Sequence, residues 1–226
     1  MVACGMADMT RRVQIIGRGR VGGAFAARVA ERGMLVDTDP DVVLLCVPDR
    51  AISDVASAVP VGPWVGHVSG ATPLSALAPH VRRFSLHPLQ TFAKARGAEQ
   101  IDGAWGAVTA DSAEGQALAE DLAVTLGLRP FLLDDNRRVV YHAGAVMASN
   151  YLVTLYRAAA RALAVADIPA EALVPLMSRT IENGFDLTGP IARGDVATVE
   201  AHVEALSRDL PDLVPVYRAL AEVTHP

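Results

Sequence analysis

Gly17, Gly19 and Gly22, in the string GRGRVG, have the spacing G-x-G-x-x-G. In a dinucleotide site each glycine has its own mechanical task. The first permits a tight turn, the second lets a pyrophosphate approach the backbone, and the third lets helix and strand pack closely. A helix opening at Val21 would add free N–H groups and a partial positive charge. The chemistry this spacing points to is the holding of a pyrophosphate, against the plainer reading of a glycine turn kept for packing. Arg18 and Arg20 either add phosphate contacts or stand as solvated arginines. Further candidate residues stand at the ends of apolar runs, where open α/β sheets bind ligands: Pro48 and Asp49, then Ser69 and Gly70, then His87, Gln90 and Thr91. His87 can donate a proton or orient a carboxylate; before a proline it also serves as a turn residue. Pro48 and Asp49 either line a ligand or only close a strand. Ser149 and Asn150 interrupt an otherwise apolar helix, and a buried asparagine has to find partners or a ligand. Thr188, Gly189, Arg193 and Asp195 share the loop LTGPIARGD. Arg193 can grip a substrate carboxylate at two points, or it pairs with Asp195 or Glu182 while Asp195 caps the next helix.

These groups need elements to position them. Val13 to Ile16 reads as a strand, Val21 to Arg28 as an alanine-rich amphipathic helix closed by Gly33, and Asp41 to Val47 as a strand covered on both faces. Trp64–Ser69, Phe84–Leu86, Trp105–Thr109 and Pro130–Leu133 read as further strands, with a helix over Ala113–Leu126. This alternation predicts an α/β sheet. After Asp135 the pattern turns helical: one long helix over Arg137–Ala166, another from Pro169 to about Asn183, and two more from Thr198 and Asp212. The fold class is α/β, a truncated Rossmann domain over residues 1–135 followed by an all-helical domain over 136–226. The truncation shows at Asp37. That acidic residue stands about 20 positions after Gly17, where a ribose reader belongs. Yet only Thr38, Asp39 and Pro40 separate it from the next strand, and parallel strands need a crossover of about a dozen residues. Either Met34–Asp37 is a loop, or a strand and its helix are missing.

Composition narrows the function classes. Hydrophobic residues at 51% and charged residues at 20% provide a core and exclude disorder. A net charge of −5 with no run of Lys or Arg argues against a nucleic-acid or membrane surface. The start MVACGMADMTRR lacks the apolar stretch of a signal peptide, and no segment has the roughly 18 apolar residues of a membrane span, which predicts a cytoplasmic protein. Cys4 and Cys46 provide neither a disulfide framework nor a metal-ligand spacing, and Cys46, inside VVLLCVP, reads as an inert core residue. The Ala- and Leu-rich helices carry more apolar face than one small domain covers, which predicts a homodimer.

The strings IGRGRVGGAFA, LLCVPDRAI, HVSGA, SLHPLQTF, AGAVMASN and LTGPIARGD together resemble the bacterial Rossmann-like proteins whose C-terminal half is domain of unknown function 2520. That family is similar to pyrroline-carboxylate reductases, ketopantoate reductases and the 6-phosphogluconate dehydrogenase superfamily. The resemblance implies an NADP- or NAD-dependent reductase of a small keto acid or imine, ketopantoate first, with a non-catalytic dinucleotide-binding protein as the alternative. It implies that the turn Val47–Asp49 lines the cofactor with Gly17–Gly22 and Ser69, and that Asn150 is the helix asparagine of the substrate site. Catalysis would then rest on His87, Asn150 and Arg193, and substrate contacts on Gln90, Thr91, Ser149 and Thr188. The lysine that ketopantoate reductases place one turn before that asparagine falls at Val146, leaving His142 as a substitute. The chain is shorter than the usual member, at the second strand and its helix.

Overall fold

The computed structural model describes residues 11–224; Cys4 and the start of the chain lie outside them. The chain divides into two compact units between Val146 and Met147. The sequence places this boundary at Asp135; the helix α4 (Arg138–Val146) goes with the first unit.

The first unit is a six-stranded sheet in sequential order: β1 (Val13–Ile16), β2 (Val42–Leu45), β3 (Trp64–His67), β4 (Arg83–Leu89), β5 (Trp105–Ala110) and β6 (Arg129–Leu132). The first four run parallel, and β5 and β6 run antiparallel to them. Alternation sends the side chains to two cores. Val13, Ile15, Val42, Leu44, Phe84, Leu86 and Val108 meet α1 (Arg20–Glu31) and α3 (Ala113–Leu126). Val43, Leu45 and Val65 meet α2 (Ile52–Ala58) and the turn Leu74–Leu77. All four residues of β2 are buried, as its unbroken apolar run requires. Ser112 caps α3 by accepting the Gly115 N–H at 3.1 Å.

The truncation resolves into a single bridge. Leu35 pairs in parallel with Val13, the first residue of β1, while Val42 pairs with the same residue as the start of β2. Because Leu35 meets only the lowest rung, the chain passes to the other flank of β1 through Asp37–Asp41 without a crossover helix. Arg12 secures the passage, with ion pairs to Asp39 at 3.1 Å and Asp41 at 3.2 Å.

The second unit is helical: α5 (Leu152–Val165), α6 (Leu173–Glu182), α7 (Val196–Asp209) and α8 (Val214–Val223). The helix expected to run unbroken through Arg137–Ala166 contains a π-helical turn at Met147–Tyr151, between α4 and α5. Among its described residues Leu173 is the one hydrophobic side chain that is buried, while Leu152, Leu155, Leu176, Ile181 and Leu220 stand exposed. No helix of the described residues is long and apolar enough to cross a membrane.

Candidate functional site

The glycine loop joins β1 to α1, and its three glycines differ in what a side chain would meet. Gly17 has φ +101°, and a Cβ there would lie 2.4 Å from the Cys46 carbonyl oxygen. At Gly22 a Cβ would lie 2.1 Å from the Gly17 carbonyl oxygen and 2.8 Å from the Cys46 Cβ. Gly19, the N-cap of α1, has nothing within 4 Å of its Cβ position and no side chain capping the helix. Two glycines thus close the strand–helix junction, and the third leaves open space before uncapped N–H groups. That cradle fits a dinucleotide pyrophosphate. Arg18 and Arg20 are exposed beside it, and among the described residues neither has an ion-pair partner. Arg20 also lines a polar cleft of about 500 Å³ with Gln90, Thr91, Arg96 and Gln100.

The remaining candidates of the first unit lie along the same edge of the sheet. The register Ile16–Leu45 and Leu45–His67 aligns the carboxyl ends of β1 to β3, and β4, paired with His67 at Ser85, runs on past them to Leu89. Three strand spacings separate the first from the fourth, about 14 Å. Val47 packs beside the loop, its Cγ1 3.1 Å from the position of a Gly17 Cβ. Pro48 and Asp49 follow, both exposed, with Pro48 as the cap of a short 3-10 turn. Cys46 is inert: burial pushes its thiol up to about 12.

After β3, the buried Ser69 folds its hydroxyl inward. Ser69 Oγ accepts the Ala71 and Thr72 N–H groups at 3.3 and 3.0 Å and donates to Thr72 Oγ1 at 2.9 Å, shaping the turn that carries Gly70. A Cβ at Gly70 would lie 2.9 Å from His87 Nε2 and 2.5 Å from His142 Cδ2, so two imidazoles close on this turn. His87 Nδ1 lies 2.7 Å from the Tyr141 hydroxyl, and His87 also sits edge-on to His142 with ring centroids 5.9 Å apart. Burial first, then His142 and Arg138, pulls His87 down to about 4, so its imidazole is neutral at pH 7. Burial pushes the Tyr141 phenol up to about 12.

Arg138 fixes this corner. Its fully buried guanidinium donates to Thr109 Oγ1 at 2.8 Å, to Ser85 Oγ at 2.7 Å and to the Ser69 carbonyl. One side chain so ties β5, β4, the β3 turn and α4 together. The sequence reading passes over Arg138 and Tyr141. The available signal is their spacing with His142: positions i, i+3 and i+4 share one helix face.

Gln90 and Thr91 are exposed, and Gln90 Oε1 accepts the Thr91 N–H at 2.8 Å. Ser149, Asn150, Thr188 and Arg193 belong to the second unit. Asn150 lies on the π-helical turn and is exposed, so the argument from a buried asparagine does not hold; Ser149 Oγ donates to its Oδ1 at 3.2 Å. Arg193 donates to the Thr188 carbonyl inside its own loop. Asp195 caps α7, accepting from the Thr198 N–H at 3.1 Å and hydroxyl at 2.7 Å, which holds its carboxyl below the usual range.

Residues 104–224, more than half of the chain, match a family described as Domain of unknown function (DUF2520). Among solved structures the chain is similar to a candidate NADP oxidoreductase from Bacteroides fragilis, at TM-score 0.77 and 22% identity over 94% of this chain and 96% of that one. A Thermotoga maritima protein with no activity in its name aligns at TM-score 0.74 and 22% identity, over 93% and 96%. A reductive aminase from Aspergillus terreus, in complex with NADPH and ethyl-5-oxohexanoate, aligns at TM-score 0.62 and 16% identity, over 95% of both chains. These likenesses establish a Rossmann-like fold. No curated protein matches the sequence.

Proposed function

The chain belongs to the DUF2520 family, and from that premise we propose that it is an NAD(P)H-dependent reductase of a small carbonyl or imine compound. The observation that carries the reading is the glycine loop, where packing forbids a side chain at Gly17 and Gly22 while open space faces the uncapped start of α1 at Gly19. The names of structural neighbours that include NADP or NADPH support the same reading. When bound, the reduced nicotinamide would supply hydride to the substrate carbon. Gly17–Gly22 with Arg18 and Arg20 would hold the phosphates, Val47, Pro48, Asp49 and the Ser69–Gly70 turn would flank the nicotinamide, and His87 would polarise the substrate oxygen or nitrogen. Asn150 and Arg193 are proposed to share catalysis with His87, and Gln90, Thr91, Ser149 and Thr188 are the proposed substrate contacts. Ketopantoate is the first keto acid to try. The reading places the protein in the cytoplasm as a homodimer, since the second unit leaves so much apolar surface uncovered. A monomer in light scattering that does not change with concentration would remove the dimer.

The single bridge at Leu35 favours a second reading, a dinucleotide-binding protein without turnover, because little chain remains to hold the adenosine. Following NADPH consumption over a panel of keto acids and cyclic imines separates the two. Turnover lost by about a hundredfold or more in His87→Ala supports the reductase; bound NADPH with no turnover on any compound supports the second reading.

A further inference from the structure

His87 is surrounded in a way that defines how a proton would leave it. We propose that His87 acts as a neutral imidazole, its Nδ1 held by the Tyr141 hydroxyl and its Nε2–H presented at the Gly70 turn as the proton donor, with Tyr141 refilling the ring from behind. The proposal rests on the reductase reading and deepens it.

The geometry is specific. Tyr141 OH lies 2.7 Å from Nδ1, and Nε2 points to where a Gly70 Cβ would stand, 2.9 Å away. A phenol donates better than it accepts, and an imidazole lone pair is the better acceptor, so the Tyr141 proton lies toward Nδ1 and the ring proton stays on Nε2. Gly70 has no side chain to cover that N–H. The groups around the ring oppose an imidazolium. His142 and Arg138 come from α4, His67 from β3, and Ala107 stands opposite His87 on β5; only Asp49 favours the cation. His67 is itself neutral, held down to about 3 by burial and Arg138.

The proton balance follows. As hydride adds to the substrate carbon, the carbonyl π bond breaks and its oxygen takes the Nε2 proton. Nδ1 accepts the Tyr141 proton in the same step, so the ring ends neutral as the other tautomer. The charge of Arg138 favours the phenolate left on Tyr141, and the ring resets as Nε2 takes a proton from water while Nδ1 returns its proton to the phenolate oxygen. Donation from the neutral ring and the return of both protons to their starting atoms replace the usual imidazolium acid. Tyr141 touches no reacting atom in this scheme; it is a positioning residue that also resupplies the proton.

The test is long-range proton–nitrogen NMR of His87 in the wild-type protein and in Tyr141→Phe, which keeps the ring packing on Phe131 and His87. The expected wild-type spectrum at pH 7 has Nε2 protonated and Nδ1 bare, with imidazolium appearing only as the pH falls toward the ring's value of about 4. In Tyr141→Phe, with an otherwise native spectrum, both tautomers should appear; with any turned-over substrate kcat should fall about 10- to 100-fold while KM for NADPH holds. A wild-type Nδ1–H tautomer, or nitrogen shifts unchanged in Tyr141→Phe, overturns the positioning role. The expected tautomer in a protein that binds no nicotinamide nucleotide overturns the donor role together with the reductase reading, which separates that failure from the first.

Discussion

The two ends of the site are built by opposite means. At β1 the shape comes from missing side chains: Gly17 and Gly22 admit none, and Gly19 leaves room in front of a helix start. At β3 and β4 the shape comes from buried side chains, with Arg138 gathering Ser69, Ser85 and Thr109, and Tyr141 and His142 packed on His87. The first end suits a ligand part common to all dinucleotides, met by backbone. The second is met by side chains, and its arrangement is what would distinguish a reductase from a simple binder.

Substitutions can break this contrast. The largest effect is expected from Gly22→Ala, whose methyl would sit 2.1 Å from a carbonyl oxygen; a loss of about 3–5 kcal/mol should appear in denaturant unfolding. Arg138→Leu leaves two buried hydroxyls and a carbonyl without their donor, and unfolding should show a loss of about 2–4 kcal/mol. Acid sharpens the same contrast. His87 titrates near 4 in the fold and near 6.5 when unfolded, so between these values the unfolded chain binds the extra proton. Stability should therefore fall as pH drops from about 6.5 to about 4 and level off below, with His67, at about 3, extending the decline. His87→Gln should flatten the upper part of that decline. The smallest effect belongs to Gly23→Ala on α1, adjacent to Gly22 but with nothing within 4 Å of its Cβ; it should stabilise by about 0.5–1 kcal/mol. A matching loss at Gly23 would show that the helix, rather than the junction, sets the response at Gly22.

The contrast also explains what the sequence reveals. The glycine loop is contiguous, so GRGRVG exposes its spacing at once, and the apolar runs of β1 to β6 announce the sheet. The His87 corner draws on residues 69, 85, 87, 109, 138 and 141, gathered only by strand order and by the start of α4. Nothing in the sequence around Arg138 sets it apart, yet it is among the most buried side chains of the first unit. Asn150 misleads in the other direction: an apolar helical run reads as core, but the second unit leaves that run exposed. The single bridge at Leu35 was legible only as a pair of alternatives, since sequence spacing cannot say on which rung a strand stops.

The central claim is that the glycine loop holds a nicotinamide dinucleotide, and its most direct test is calorimetric titration with NADPH, NADH and their oxidised forms, in the wild type and in Gly19→Asp. Aspartate is a good N-cap and its Cβ meets no atom at this position, so the variant should keep the wild-type melting temperature while its carboxylate takes the N–H groups that face the phosphates. Micromolar binding of at least one nucleotide, lost in Gly19→Asp, is the expected result. No binding by the wild type, or equal binding by the variant, would contradict it.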